Sequence, residues 1–336
     1  MQARSCAPDQ PTASSARPIG RRRVLGAAVL PWLGPLAACA PQRPLILAGH
    51  PWPGYEPMFL ARTLGYLPEG LTLLEAPTVH ASIDAVKQGR ADGAMVTLDE
   101  MLQMRDHGID LQTVLVFDVS KGADVFLARP TLRELHAIKG HRVGTEPSAL
   151  GSLMLAMVLE RAGLRESDVQ VRRILYEEHE AAWARGEVDA LVTYEPVATR
   201  LKRGGALQLL STRELPDTIF DVLAVRRDAI ETHEDTLRAA LIGHFRALRY
   251  LRQNPWDAAY KTVPHLGVSA EEMINSLRGL ELPDLVGNRR YLSAQDGDLA
   301  RVAVKLSGIM QQAGVINRPV EVRHLYSDAY LPTRSP

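Results

Sequence analysis

Ten short apolar runs are spaced along residues 45–226, and most of them are separated by segments with the period of an amphipathic helix. The runs lie at 45–49, 71–76, 93–97, 111–118, 124–129, 141–146, 169–175, 189–195, 206–211 and 221–226. Strands that alternate with helices form open, mainly parallel sheets, so the pattern predicts an α/β fold. Ligands of such sheets bind beyond the carboxyl ends of the strands.

Two pairs of segments resemble each other. GRADGAMVTLDE (89–100) and GEVDALVTYEP (186–196) share a glycine, an aspartate three residues later, Val-Thr and then an acid. DVFLAR (124–129) resembles DVLAVR (221–226). We interpret the first pair as equivalent units of two similar lobes, and the second as the strands that cross between the lobes. Coincidence between common α/β sequences is the alternative.

Beyond residue 226 the pattern becomes helical. Leu237, Leu241, Phe245 and Leu248 lie three or four residues apart, and Asn254-Pro255 ends this helix. Two further helical patterns cover 269–281, which begins with a Ser-x-x-Glu capping box, and 294–315. These helices are expected to complete and brace the first lobe.

The amino terminus has the pattern of an export signal. Three arginines (21–23) precede an apolar run of about fifteen residues, which is too short to span a bilayer comfortably. The run ends in Leu-Ala-Ala-Cys39, which resembles the bacterial lipobox, so lipidation of Cys39 and a signal peptide over 1–38 are expected. RRRVL resembles a twin-arginine motif. An ordinary signal peptide and a transmembrane anchor are the alternatives.

Charge and cysteine content limit the partners and the cysteine-based sites that the chain can have. The chain has 39 basic and 39 acidic residues, and removing 1–38 leaves 34 and 38, a net charge of −4. That balance argues against a nucleic-acid partner. Cys6 and Cys39 are the only cysteines, so the processed chain has neither a disulfide nor a cysteine metal site. A mature chain of roughly 300 residues suggests two domains.

Catalytic motifs are not found. The sequence has no HExxH, P-loop, dinucleotide-binding glycine fingerprint or nucleophile elbow. The ten histidines are scattered, so no metal or other cofactor is expected. The prediction is therefore a protein that is not an enzyme.

Several motifs taken in order resemble one family. The lipobox leader, WPGYEP, GRADGAMVT, KGAD, LHAIKGHRVGTEPSALGSLMLAMVLERAGL and GEVDALVTYEPVATRL are similar to the nitrate/sulfonate/taurine class of ABC-transporter substrate-binding proteins. The resemblance covers about residues 44–315. It implies a type II periplasmic-binding-protein fold, with open mixed sheets flanked by helices and two crossover strands. The first lobe would comprise 39–125 and 224–336, and the second lobe 126–223.

The function implied by the resemblance is solute capture outside the cytoplasm. A monomeric, periplasmic, membrane-anchored lipoprotein would hold a small organic molecule in an interlobe cleft and deliver it to an ABC permease and its ATPase. A periplasmic sensor or adaptor using the same cleft is an alternative. A thiamine-pyrimidine-synthase-like enzyme is another, although that group's cysteine-rich motif has no counterpart in this chain. Solute identity, inner or outer membrane attachment, and Sec or twin-arginine export stay open.

The resemblance also implies the ligand-binding residues. They are His50, Trp52, Tyr55, Glu56, Thr97, Asp99, Asp118, Ser120, Asp124, Glu146, Ser148, Ala149, Tyr194 and Glu195. Tyr194-Glu195-Pro196 stands where the family often has Trp-Glu-Pro, so the stacking surface is smaller. Trp52 and Tyr55 offer flat apolar faces with a polar group, which suit a small, partly apolar solute.

Each candidate also has a structural interpretation. Trp52 could pack on its own loop, and Glu56 could cap the following helix. Ser148 could act as an N-cap, or the helix that it begins could hold an anion. The remaining acids could be turn or first-turn residues: Asp99, Asp118, Asp124 and Glu195.

Charge favours one class of solute. The candidates and Lys121 together contain six acids and a single cation. A sulfonate or nitrate site would need an arginine or several free donors. Acids instead favour a neutral or cationic nitrogen compound. The helix start at Ser148 and the many anion binders of the family keep a sulfonate or oxyanion open.

Overall fold

The computed structural model describes residues 43–293, 297–321 and 323–336. The expected signal peptide, Cys6 and the expected lipidation site Cys39 lie outside the described residues. Within these residues, no helix is long and apolar enough to cross a membrane.

Eleven strands in the described residues form two mixed sheets. The strands of the first sheet are β1 (Leu45–Gly49), β2 (Leu71–Glu75), β3 (Gly93–Thr97), β4 (Leu111–Ser120), β10 (Phe220–Arg226) and β11 (Leu280–Glu281). Those of the second are β5 (Asp124–Ala128), β6 (Arg142–Thr145), β7 (Gln170–Arg173), β8 (Ala190–Tyr194) and β9 (Leu207–Ser211). The strand orders are β11-β4-β10-β3-β1-β2 and β7-β6-β8-β5-β9.

The helices lie between and after these strands. They are α1 (Glu56–Thr63), α2 (Val79–Lys87), α3 (Leu98–Asp106), α4 (Ala149–Ala162), α5 (His179–Ala184), α6 (Val197–Arg203), α7 (Arg227–Gln253), α8 (Pro255–Leu266), α9 (Ala270–Leu277), α10 (Leu285–Leu292) and α11 (Asp298–Gln312). The predicted α/β class is confirmed.

The direction of the strands corrects the expectation of mainly parallel sheets. β1 pairs in parallel with β2 and β3, and β6 with β7 and β8. In contrast, β10 runs antiparallel to β3 and β4, and β5 to β8 and β9. The reason is the path of the chain, which passes between the sheets through 121–123 and 212–219. β5 and β10 therefore begin at the end of the sheet where the parallel strands finish. Each of the two strands lies entirely in one sheet.

The two sheets have the same strand order, which explains the two pairs of similar segments. The order β2-β1-β3-β10-β4 corresponds to β7-β6-β8-β5-β9, so β3 is equivalent to β8 and β10 to β5. The aspartate shared by the first pair of segments binds a backbone N–H near the start of the neighbouring strand in both sheets. Asp92 accepts the Ile46 backbone N–H at 2.9 Å, and Asp189 accepts the Arg142 backbone N–H at 3.0 Å.

The helical third of the chain was predicted in outline. Leu237, Leu241, Phe245 and Leu248 are buried in α7, and the Ser269–Glu272 capping box forms at the start of α9. α8 and α10 were missed. Pro255 ends one helix and also occupies the first position of the next, where its missing N–H costs nothing.

Candidate ligand-binding site

A cavity lies where the carboxyl ends of the parallel strands of both sheets face each other. Its lining residues are His50, Trp52, Tyr55, Val79, Thr97, Glu100, Asp124, Glu146, Leu150, Tyr194, Ile219 and Asp221. The antiparallel strands β5 and β10 begin at this same edge, which brings Asp124 and Asp221 into it. The volume of the cavity is about 20 Å³, which is room for about one water molecule.

The loop after β1 is anchored by its two large aromatic side chains. Trp52 Nε1 donates a hydrogen bond to Asp118 Oδ2 at 3.1 Å, and the Tyr55 hydroxyl donates to the Asp221 carboxylate. Both rings are buried. The Trp52 ring also meets Tyr194 edge to face, with ring centroids 5.5 Å apart. Trp52 therefore packs against residues of both sheets rather than only on its own loop.

Gly54 is required for this anchoring. A Cβ atom at this position would lie 1.7 Å from Asp118 Oδ2 and 2.7 Å from Trp52 Nε1. The hydrogen bond between Trp52 and Asp118 thus passes directly over the glycine. Any larger residue at 54 would have to displace one of the two partners.

Carboxyl groups dominate the chemistry of the cavity. Burial raises the pKa of Asp118 to about 7 and that of Asp124 to about 6. Burial, followed by the charge of Asp118, also raises the pKa of Asp221, and burial raises the pKa of Glu100 and Glu146. At neutral pH the group can therefore hold protons and can both donate and accept hydrogen bonds.

Two polar atoms at the cavity have no partner in the described part of the chain. They are Thr97 Oγ1 and Asp124 Oδ2, and both residues are more than nine-tenths buried. Buried polar groups are normally hydrogen-bonded, so these atoms are suited to a ligand. No lysine or arginine is among the described residues that line the cavity.

A family model matches residues 38–263, which is more than half of the chain. The protein belongs to the NMT1-like family. No curated protein matches the chain of this NMT1-like protein.

Solved structures agree on the fold. The aliphatic sulphonate binding protein SsuA from Escherichia coli has a TM-score of 0.70 at 20% identity, covering 84% of this chain and 97% of its own. The nitrate-binding protein NrtA from Synechocystis PCC 6803 has a TM-score of 0.65 at 11% identity, covering 85% and 86%. The desulfurization enzyme DSZB has a TM-score of 0.61 at 16% identity, covering 86% and 97%. The NMT1-like chain thus has the periplasmic-binding-protein fold.

Seven of the fourteen expected site residues line the cavity, and the other seven do not. The seven that line it are His50, Trp52, Tyr55, Thr97, Asp124, Glu146 and Tyr194. Asp118 lies behind Trp52, and Asp99 is fully buried with a pKa raised by burial to about 7. The small residue Ala149 is buried in the first turn of α4.

The other four residues outside the lining have protein partners. Glu56 Oε1 contacts His265 Nδ1 at 2.6 Å, and this pairing differs from both the ligand and the capping interpretations. Ser120 Oγ lies 2.7 Å from Thr212 Oγ1.

Ser148 and Glu195 serve the helices that follow them. Ser148 Oγ caps α4 by accepting the Gly151 N–H at 3.0 Å, as the structural interpretation predicted. The Glu195 carboxylate binds the Thr199 N–H and hydroxyl at 3.0 and 2.9 Å. Neither side chain lines the cavity.

Sequence reasoning missed five lining residues: Val79, Glu100, Leu150, Ile219 and Asp221. For one of them the sequence contained a recognisable pattern. Asp221 begins DVLAVR just as Asp124 begins DVFLAR, and Asp124 was chosen while its equivalent was not. Glu100 follows Asp99 on α3, where its Oε2 also accepts the Thr97 N–H at 3.0 Å.

Proposed function

We propose that this NMT1-like protein captures a small organic solute outside the cytoplasm and delivers it to an ABC permease and its ATPase. The fold, and a cavity built from both sheets, support this proposal. The related folds include proteins named for aliphatic sulphonate and nitrate binding. We further propose two lobes, with the expected bounds (39–125 with 224–336, and 126–223) moved to the crossings at 121–123 and 212–219, because β5 and β10 each lie in one sheet. The lobes would open at these crossings, because a 20 Å³ cavity admits no organic solute.

The proposed solute is a neutral or cationic nitrogen compound. The observation that carries this choice is the lining, in which four carboxyl residues and three aromatic or imidazole rings of the first loop occur without a lysine or arginine. An ammonium or amidine group would pair with these carboxylates and lie against the Trp52 ring. The capping of α4 by Ser148 already uses the Gly151 N–H, which weakens the case for an anion at that helix start.

Nine residues are proposed to contact the solute: His50, Trp52, Tyr55, Thr97, Glu100, Asp124, Glu146, Tyr194 and Asp221. Asp118 would act through Trp52, whose indole N–H it accepts. We propose no cofactor. The described residues contain no group of three or more His, Cys, Asp or Glu side chains that could hold a metal ion.

The test is a thermal-shift screen of amines, pyrimidines, sulfonates and oxyanions, with hits measured by calorimetry. A ligand at 100 times its dissociation constant stabilises a protein by about 2.7 kcal/mol. We expect hits among nitrogen compounds. Hits confined to sulfonates or nitrate would contradict the proposed solute class, and no hit in any class would contradict capture itself.

Variants then locate the site. Asp124→Asn and Trp52→Ala should each weaken a true hit at least about tenfold, or roughly 1.4 kcal/mol. Asp235→Asn, an exposed aspartate on α7, is the matched control and should leave the affinity unchanged. Equal losses in all three variants would argue against binding in this cavity.

Two other functions use the same fold. A sensor or adaptor would bind the same solute, but deleting the permease would then leave uptake of labelled solute unchanged. An enzyme would release a chemically altered compound, and DSZB shows that the fold can host one. The described residues that line the cavity include no cysteine. Mass spectrometry of bound compound before and after incubation separates binding from turnover.

A further inference from the structure

A second pocket lies beside the two crossings and has the opposite charge. Its volume is about 400 Å³, and its lining residues are Gly122, Glu195, Thr199, Lys202, Arg203, Gln208, Arg213, Asn275, Arg278 and Gly279. Four cationic side chains line it, against one carboxylate. Two such concavities of opposite sign, a small acidic one and a large basic one, therefore lie between the same two sheets.

The cations of this basic pocket come from separate parts of the fold. Lys202 and Arg203 lie on α6, which connects two strands of the second sheet. Arg278 follows α9 and precedes β11 of the first sheet. Arg213 lies in the second crossing. A ligand held by all of them would bridge both sheets.

The crossings are shaped to form the wall of the pocket. Gly122 has φ +116°, and a Cβ there would lie 2.7 Å from Arg213 Nε. Arg213 Nε donates to the Lys121 carbonyl at 3.0 Å, which holds the side chain across the first crossing. A Cβ on Gly279 would lie 2.8 Å from the Ala123 backbone nitrogen. Both glycines are needed for this close approach.

Two of the four cations, Arg213 and Arg278, have no carboxylate partner among the described residues, whereas Lys202 and Arg203 each lie near one. Among the described residues, the Arg278 guanidinium has no hydrogen-bond or ion-pair partner, and the Arg213 guanidinium bonds only through Nε. Lys202 Nζ lies 3.5 Å from the Glu195 carboxylate, which is already bound by Thr199. Guanidinium donors without a carboxylate partner suit oxyanions.

A second arginine-lined pocket provides a contrast. It also measures about 400 Å³ but lies at the edge of the second sheet, lined by Arg142, Arg172, Arg173, Ile174 and Glu187. Its arginines have partners within that sheet and its helices. Arg142 forms a two-point contact with Asp189, and Arg173 bonds Ser152 Oγ at 3.2 Å. This edge pocket serves as an internal control.

Ion pairs join the two walls of the basic pocket. Arg200 on α6 contacts Glu272 on α9 at 2.7 Å, and Arg203 contacts Glu271 at 3.6 Å. The pocket is complete only while α6 and α9 lie together. An anion that occupies it would therefore favour this arrangement of the sheets, as the ion pairs do.

We propose that the basic pocket is a second ligand site, which takes a small multivalent oxyanion such as phosphate, sulfate or a polycarboxylate from solution. We also propose that its occupancy lowers the affinity of the solute cavity, because it favours the arrangement in which that cavity admits no organic solute; this coupling rests on the proposed function. By linkage, the solute would lower the affinity for the oxyanion by the same factor.

Direct binding is tested first, without any solute. Inorganic phosphate and citrate are titrated by calorimetry against the wild type at constant ionic strength, with chloride as the balancing anion. We expect saturable binding. Arg278→Gln and Arg213→Gln should each weaken it roughly three- to tenfold. Arg172→Gln in the edge pocket should leave it unchanged. Binding that does not saturate, or that falls equally in all three variants, overturns the site.

The coupling is tested separately. Solute affinity is measured with and without saturating phosphate, in the wild type and in Arg278→Gln. We expect phosphate to weaken solute binding in the wild type and to do so less in the variant. Saturable phosphate binding with an unchanged solute affinity would retain the site and overturn the coupling. If no solute binds at all, the proposed function fails while the phosphate titration still decides the site.

Discussion

Gly54→Ala is the sharpest test of how the first loop is built. The added methyl carbon would lie 1.7 Å from Asp118 Oδ2, far inside any allowed contact. Asp118 is fully buried, so its carboxyl cannot turn out into solvent. The φ of Gly54 is not in the left-handed region, and the effect is therefore one of space rather than of backbone strain.

The size of the effect follows from what must move. Relief of the contact separates Trp52 Nε1 from Asp118 and loses a hydrogen bond to an acidic group, which is worth about 1.5–3 kcal/mol. Overpacking of a filled interior costs about 1–3 kcal/mol more. Alanine returns about 0.4–1 kcal/mol by restricting the unfolded chain. We expect a net loss of about 2–5 kcal/mol in the free energy of unfolding.

Gly308→Ala is the matched control, because the same chemical change meets open space. Gly308 lies inside α11, and no heavy atom lies within 4 Å of a Cβ built there. Alanine in a helix interior stabilises by about 0.5–1 kcal/mol relative to glycine. The two variants should therefore shift the urea midpoint in opposite directions, as followed by circular dichroism.

Solute affinity adds a second measurement. Gly54→Ala displaces Trp52 and should weaken any true ligand, whereas Gly308→Ala should leave the affinity unchanged. A Gly54→Ala protein with the wild-type urea midpoint and affinity would refute the described contact between Gly54, Trp52 and Asp118.

Three further outcomes are expected. His244 is buried, neither of its ring nitrogens has a partner among the described residues, and burial lowers its pKa to about 3. The unfolded chain takes up the proton below pH 6.5, so stability falls as pH drops. His244→Phe should remove a penalty of about 2 kcal/mol at pH 5 and less at pH 8, measured by urea unfolding. A cationic solute should release protons near pH 6–7, because it lowers the raised pKa values of Asp118 and Asp124; calorimetry in buffers of different ionisation enthalpy would show no buffer dependence if this is wrong. Cys39→Ala should move the protein from the membrane fraction to the soluble periplasmic fraction, and a soluble wild type would contradict the lipid anchor.

The sequence predicted the strands well because their signal is local. Every residue of β3, β4 and β5 is buried, so each run is mainly apolar and stands out from its flanks. β11 has two residues and leaves no such signal. α8 was missed because Asn254-Pro255 was interpreted only as the end of α7 and not also as the start of another helix.

The site was predicted less completely, because the position of a residue along the chain does not determine the direction in which its side chain points. Asp99 and Glu100 are adjacent, but they point about 100° apart on a helix, and only Glu100 lines the cavity. The partner of Glu56 is His265, which is 209 residues away in the chain. Such pairings depend on how α1 and α8 pack, which no local pattern records.

The second sheet is inserted in the sequence between strands of the first sheet, and this affects the order in which the chain can fold during synthesis. β3 and β4 are joined through β10, which begins at Phe220, after all five strands of the second sheet have been made. We therefore expect the later-made sheet to be completed first on the ribosome, while β4 waits with both edges unpaired. A fragment of residues 43–215 should accordingly protect 124–211 from protease and leave 43–120 open. Protection of both segments would show that the first sheet can form without its central strand.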